Sequence, residues 1–198
     1  MKNLLTFLLV AISLSCFAQK KYYNNAVNSC GGTSSSDLVE CIKGSTLLNY
    51  DFTDINGKAI STDAIKKPVV IVAAATWSGP FWGGIPALNQ IVEENHDKID
   101  FIMVFWDKEA KIKKMAHKIN EHISLIPARE ADKVKKGNLD ISGFVHKLPD
   151  YPTAYFINKQ KEFVDVMRGA ASPSKTMKWE EVTKTNLTNL NKAISPLL

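Results

Sequence analysis

Cysteine and histidine are both scarce in this sequence. The 198 residues include three cysteines and four histidines, and no two of them stand at the spacing of a metal-binding motif. His117 and His122 are five positions apart, a separation that would put them on different faces of a helix. We therefore expect no metal ion, and nothing in the sequence predicts another cofactor.

A large excess of one charge is also absent. The chain has 25 Lys and Arg against 20 Asp and Glu, a formal net charge of +5. The lysine-rich stretch "KIKKMAHK" has no aromatic residues between its charges, which argues against a nucleic-acid platform. Ile112, Met115 and Ile119 fall at helical spacing here, so we interpret the lysines as the solvated face of an amphipathic helix.

Only one long apolar run occurs, at residues 4–17, shortly after the basic Lys2. The run is too short to span a bilayer comfortably and is followed by the small residue Ala18, as is typical of a secretory signal peptide. We interpret residues 1–18 as a bacterial-type signal peptide. The mature protein is then exported, periplasmic or secreted, with no transmembrane segment. A lipid anchor on Cys16 is the alternative.

Residues 19–45 are polar, with little periodicity, and predict an irregular leader. They contain Cys30 and Cys41, the two cysteines that remain after cleavage behind Ala18. In an oxidising compartment such a pair most simply forms a structural disulfide that closes a short loop.

The remaining residues, 46–198, alternate between strand and helix patterns. "LLNYDFTDINGKAI" predicts a hairpin around Asn56-Gly57, and "PVVIVAAA" and "FIMVFW" predict two buried strands. We expect helices at residues 80–94, at 108–123 and in "KTMKWEEVTKTNLTNLNKAI", and a late hairpin formed by "YPTAYFI" and "EFVDVMRGA". This order predicts one α/β domain with a central mixed sheet and helices on both faces.

The stretch "ATWSGPFWGGIP" follows the first predicted buried strand. Together with the element order it resembles the thioredoxin-like fold, and more closely the exported TlpA/ResA-type thiol-disulfide oxidoreductases, or redoxins. That family reads "DLNGK" in its hairpin, then "ATWCGPC", then a proline five residues past the second cysteine. Here "DINGK", "ATWSGPF" and Pro86 occupy those places. The resemblance covers residues 47–195 and implies a cis peptide bond between Tyr151 and Pro152, before Thr153.

Both cysteines of the family motif are replaced, by Ser78 and Phe81. The first cysteine acts as a thiolate at a helix N-terminus, and the second resolves the mixed disulfide. A serine hydroxyl does not ionise near neutral pH and a phenyl ring has no redox chemistry, so dithiol exchange at this position is excluded. Val72 stands where many relatives carry a buried acid. The sequence thus predicts a degenerate site without catalytic residues, in which Ser78 caps the helix.

The part of the site that does not depend on sulfur is retained. The resemblance implies a groove for the extended backbone of a client, in which the aromatic side chains and the proline meet. We expect Trp82 to be the most exposed of them. The predicted groove residues are Trp77, Ser78, Gly79, Pro80, Phe81, Trp82, Tyr151, Pro152 and Thr153.

Several interpretations stay open at this point. The first is a non-covalent binding module for an extended peptide or an envelope protein partner, and the second is an oxidoreductase that works through Cys30 and Cys41. The protein could also be a structural part of an envelope assembly, and the aromatic side chains could simply fill the core. Gly83 and Gly84 serve either close packing or a mobile rim of the groove.

Overall fold

The computed structural model describes residues 21–30, 34–135 and 138–198. The predicted signal peptide at 1–18, with Cys16, lies outside the described residues. Within the described ranges, no helix is both long enough and apolar enough to cross a bilayer.

A five-stranded mixed sheet forms the centre, in the order β10-β9-β3-β4-β5. Its strands are β3 (Val69–Ala74), β4 (Asp100–Lys108), β5 (Ile123–Ala128), β9 (Thr153–Ile157) and β10 (Phe163–Arg168). Strand β4 pairs in parallel with both β3 and β5, whereas β9 is antiparallel to both β3 and β10. All six residues of β3 are buried, which explains the continuous apolar sequence and confirms the predicted central strand.

Two long helices, α3 (Gly79–Asn95) and α5 (Trp179–Ile194), cover one face of the sheet. They pack against each other and bury side chains such as Ile91 and Leu190 against Val72 and Met103 of the sheet. Both helices were predicted, and the central mixed α/β sheet is confirmed.

The opposite face is covered by smaller elements. These are the hairpin β1–β2 (Asp51–Thr53, Ala59–Ser61), the sheet β6–β7–β8 (Lys133–Lys135, Asn138–Ile141, Phe144–His146) and the chain's first helices. The β1–β2 hairpin is as predicted. Its turn is held because the Asp54 carboxylate accepts the N–H groups of Asn56 and Lys58, both at 2.8 Å, and Gly57 has a φ of +82°.

The prediction of an irregular leader is wrong. The segment forms α1 (Tyr23–Ser29) and α2 (Ser35–Ile42), and the Ser34 hydroxyl caps α2 by accepting the N–H of Asp37 at 3.1 Å. Tyr23 and Val27, four positions apart, form a buried helical face, and the Tyr23 ring stacks on Phe144 and Phe163. The predicted disulfide between Cys30 and Cys41 joins the two helices.

The helix predicted at 108–123 is also corrected. Only α4 (Glu109–Lys113) and a 3₁₀ turn at Ala116–Lys118 form, and the chain then enters β5. Ile112, Met115 and Ile119 are buried as their spacing indicated, so the burial pattern was right although the element was too long. Strand β5 was missed because it contains Pro127, which an edge strand tolerates.

Gly83 serves close packing rather than a mobile rim. A Cβ atom on Gly83 would lie 2.2 Å from the carbonyl oxygen of Ala171, which leaves no room for a side chain. The buried Asn186 amide donates to the carbonyls of Gly83 and Ala171 at 2.9 and 3.0 Å, and it accepts the Ala171 N–H at 2.8 Å. Asn186 therefore holds the segment around Ala171 against α3.

His146, the last residue of β8, is fully buried and contacts Tyr155 of the central sheet. Its Nδ1 lies 2.6 Å from the Tyr155 hydroxyl, and its ring centroid is 4.9 Å from that of Tyr151. Burial disfavours the charged imidazolium and lowers the pKa of His146 to about 3. The imidazole is therefore neutral in the folded protein near neutral pH.

We predict that Gly83→Ala lowers the free energy of unfolding by about 2 kcal/mol, because the clash with backbone outweighs the better helix propensity of alanine. The matched control is Gly79→Ala, whose added Cβ would contact nothing within 4 Å. Urea denaturation measures both variants. Equal stability of Gly83→Ala and wild type would show that the contact with Ala171 is not rigid.

A second prediction concerns the loss of folding stability as the pH falls. His146 takes up a proton near pH 6.5 in the unfolded chain but only near pH 3 in the folded one, so the unfolded state binds more protons between these values. The His146 contribution to stability therefore falls by about 2 kcal/mol between pH 7 and pH 5. In His146→Phe the loss of stability over this range should be smaller by that amount, whereas His117→Gln, at an exposed position, should keep the wild-type slope. An unchanged slope in His146→Phe would contradict the assignment.

Candidate functional site

The site lies where the ends of two neighbouring strands meet. Strand β3 ends at Ala74 just before α3 begins, and β9 begins at Thr153, which pairs with Ala73. Because β3 and β9 are antiparallel, the N-terminus of α3 and the cis peptide bond between Tyr151 and Pro152 come together. The sequence resemblance implied both this cis bond and its position.

Ser78 joins these two segments directly. Its hydroxyl accepts the N–H of Phe81 at 3.4 Å, so it is the N-cap of α3, as predicted. The same hydroxyl donates its proton to the carbonyl of Tyr151. Since this proton goes to a carbonyl and not to a histidine base, Ser78 is not arranged as a hydrolytic nucleophile.

Phe81, predicted for the groove, is buried and does not reach the exposed surface of the site. Its ring is 1% exposed and packs edge-on against Trp82 and Phe105, with centroids 5.0 and 5.8 Å away. The position that resolves mixed disulfides in the resembled family is therefore filled here by part of the apolar core. Thr153 is also fully buried, and its hydroxyl donates to the carbonyl of Asp150 at 2.7 Å.

Three aromatic rings meet at the site, of which Trp77 is exposed, Trp106 is partly exposed and Tyr151 is buried. Trp77 is 59% exposed and makes edge-on contacts with Trp106 and Tyr151, at centroid distances of 6.3 and 5.6 Å. Trp106 and Tyr151 also contact each other, at 5.9 Å. We name these three residues the aromatic platform. Pro152, Gly79 and Pro80, also predicted for the groove, are partly or fully exposed beside it.

The prediction that Trp82 is the most exposed aromatic residue is wrong. Its indole N–H donates to the carbonyl of Thr76 at 2.9 Å, its ring is half-buried, and the Lys118 ammonium lies 5.3 Å from the ring centroid. Trp106, by contrast, was missed. The available signal was that it lies near the end of the second buried strand, and parallel strands end at the same edge of a sheet.

A buried carboxylate fixes the turn that carries Trp77. Asp107 is 7% exposed, and it accepts the N–H of Thr76 at 2.6 Å and the Lys111 ammonium at 2.7 Å. Sequence reasoning missed this residue as well. The turn is thus held from one side by Asp107 and from the other by the hydrogen bond of Trp82.

Buried polar atoms without a partner concentrate around the platform. Among the described residues these are Thr76 Oγ1, His146 Nε2 and the Tyr151 hydroxyl oxygen. Burial also raises the pKa of Tyr151, which keeps the phenol neutral. Native proteins leave few such atoms unpaired, and a cluster of them is unusual in a region that serves only as core packing.

The chain that follows α2 is attached at the other end of the sheet. Cys41 lies near the end of α2, and three residues later the Gly44 N–H donates to the carbonyl of Phe163 at 2.8 Å. Phe163 pairs with Ile157, at the far end of the β9–β10 ladder from Thr153.

As for metal binding, residues 21–30, 34–135 and 138–198 contain no group of three His, Cys, Asp or Glu suited to hold an ion.

No family model matches the chain, and no curated protein matches it. Solved structures do. A thio-disulfide isomerase from Thermus thermophilus is 18% identical, with a TM-score of 0.50 over 74% of this chain and 95% of that one. A thioredoxin-family thiol:disulfide interchange protein from Chlorobium tepidum is also 18% identical, with a TM-score of 0.50 over 76% and 96%. The peroxidoxin BcpB from Mycobacterium tuberculosis is 14% identical, with the same TM-score and coverage.

Likeness at this level of identity shows the fold. It agrees with the resemblance inferred from "DINGK", "ATWSGPF" and "YPTAYFI" and with the element order. The chain therefore has the thioredoxin-like fold found in thiol-disulfide oxidoreductases.

Proposed function

We propose that this protein is an exported binding module that captures an extended segment of a peptide or protein without covalent chemistry. The observation that carries the proposal is the exposed Trp77 indole, which stands beside Pro152 on a site whose motif positions, Ser78 and Phe81, hold no thiol. Export follows from the signal peptide interpreted at residues 1–18.

The absence of sulfur from the motif defines what the site can do. Ser78 already donates to the Tyr151 carbonyl and caps α3, and Phe81 is buried, so neither side chain is available to react with a bound molecule. The site can still bind through shape and through apolar contact.

The aromatic platform supplies this contact. An exposed tryptophan ring such as that of Trp77 offers a large apolar area with little side-chain entropy to lose, and tryptophan is enriched at binding hot spots. The Tyr151 carbonyl, which could otherwise pair with the backbone of a client, already accepts the Ser78 hydroxyl. Binding through the ring faces should therefore contribute more than strand pairing.

An oxidoreductase that uses Cys30 and Cys41 is a weaker alternative. The two sulfurs are bonded to each other, and the hydrogen bond between Gly44 and Phe163 ties the end of α2 to the end of the sheet opposite Pro152. The pair fits a structural staple between α1 and α2 better than a reaction centre.

Binding is tested with an unfolded polypeptide that carries no free thiol, such as S-carboxymethylated α-lactalbumin. We expect Trp77→Ala to weaken its binding by about tenfold or more, because the exposed ring of the platform is lost. The matched control is Trp179→Ala, since Trp179 is 54% exposed but lies at the start of α5. Equal affinities of wild type and Trp77→Ala would reject the platform, and no binding by wild type would reject the proposal.

The loss of redox function is tested by restoring the sulfurs. Ser78→Cys with Phe81→Cys places two thiols at the start of α3, where the helix N-terminus favours the thiolate at position 78. With dithiothreitol as the electron donor, we expect the double variant to accelerate the reduction of insulin disulfides above the rate with dithiothreitol alone, whereas wild type and the single variant Ser78→Cys, lacking a resolving thiol, do not. A folded but inactive double variant would show that more than the sulfurs has been lost, and turnover by wild type would contradict the account.

A further inference from the structure

A small apolar cavity lies beneath Pro152, on the face of the sheet that α3 and α5 cover. Its volume is about 30 Å³. Val72 and Phe81 form part of its wall, and these are two of the positions at which the sequence departs from the pattern of the redox family.

Among the residues that the structure describes, those that line the cavity offer no free hydrogen-bonding side chain. Leu88, Met103 and Leu190 are among the apolar residues that complete the lining. Asn186 is the one polar side chain in the lining within the described part of the chain, and its amide is fully engaged with Gly83 and Ala171. A polar or charged group placed here would lose its hydration without finding a partner.

The cavity opens to the surface next to the aromatic platform. Four of its lining residues, Pro152, Met167, Gly169 and Ala170, are partly exposed and form the rim, whereas the deeper walls are buried. Three of the four rim residues are small, and the fourth is Met167. Met167 at the rim and Met103 in the deeper wall can adjust their flexible side chains to an incoming group. Pro152 borders both the cavity and the proposed peptide site.

We propose that this cavity receives the end of an aliphatic side chain, such as that of Leu, Val or Met, from the peptide bound at the site. The inference rests on the proposed function and names the chemistry of its ligand. A cavity needs roughly 10–15 Å³ of such volume to hold one water molecule, so the 30 Å³ of this cavity has room for one or two methyl groups. The apolar end of the side chain enters beside Pro152 and contacts Phe81 and the methionines.

Access to the cavity is tested without any peptide, by xenon, which enters dry apolar cavities. The methyl groups of methionine, labelled with ¹³C, provide the NMR signal. We expect xenon to shift the signals of Met103 and Met167, which line the cavity, and not those of Met115 and Met177, which do not. Absence of a selective shift would overturn the proposal.

Two variants fill the cavity from different sides. Ala170→Leu fills it from the rim, and Gly84→Ala adds a Cβ that would lie 3.2 Å from the Cβ of Ala170. Either variant, provided that it folds, should abolish the xenon shifts. The matched control is Ala59→Leu, at an exposed position of β2, which should leave them unchanged. Shifts that persist in both cavity variants would also overturn the proposal.

Ligand chemistry is tested with two peptides of Gly and Ser that differ only in a central Leu or Ala. The same methionine signals report binding, and we expect the Leu peptide to bind about fivefold tighter or better, a preference that Ala170→Leu removes. Equal affinities would overturn the cavity proposal and leave the proposed function standing. If neither peptide binds, although xenon enters and carboxymethylated α-lactalbumin is bound, the cavity proposal fails alone. If that polypeptide is not bound either, the proposed function fails with it.

Discussion

The site depends on the antiparallel pairing of β9 with β3. This pairing brings Pro152 to the N-terminus of α3, and the Ser78 hydroxyl then connects the two segments by capping the helix and donating to the Tyr151 carbonyl. In a redox protein of this fold a sulfur in that place must stay free to react. Here the Ser78 oxygen makes two structural hydrogen bonds, which hold the residue that precedes α3 and follows the exposed Trp77.

The surroundings of Ser78 are apolar on both sides. Beside Ser78, Trp77 of the aromatic platform is exposed, and the turn that carries it is held by the buried carboxylate of Asp107. Below it, Phe81 and Val72 make the interior apolar where acid–base or sulfur chemistry would need polar groups. An exposed indole and an apolar interior are both suited to apolar contact, as the proposed binding function requires.

Much of the fold was predictable because its signals are local. The apolar run of β3 and the Asn56-Gly57 turn specify their structures within a few residues. The prediction failed where long-range contacts decide. Helix α1 is stabilised by Tyr23 packing on Phe144 and Phe163, more than 100 positions away, and the burial of Phe81 and the exposure of Trp77 depend on packing between elements. Motif spacing located the site, but it did not show which side chains face outward.

The central claim is that this protein binds its partner without using sulfur. The most direct test uses residues 19–198 with Cys30→Ser and Cys41→Ser, a chain that contains no cysteine. Its affinity for a cysteine-free unfolded polypeptide is measured at a temperature where the variant is folded. The account predicts the same dissociation constant as for the wild-type chain. Loss of binding by the folded variant would contradict the account and would make the sulfur pair part of the function.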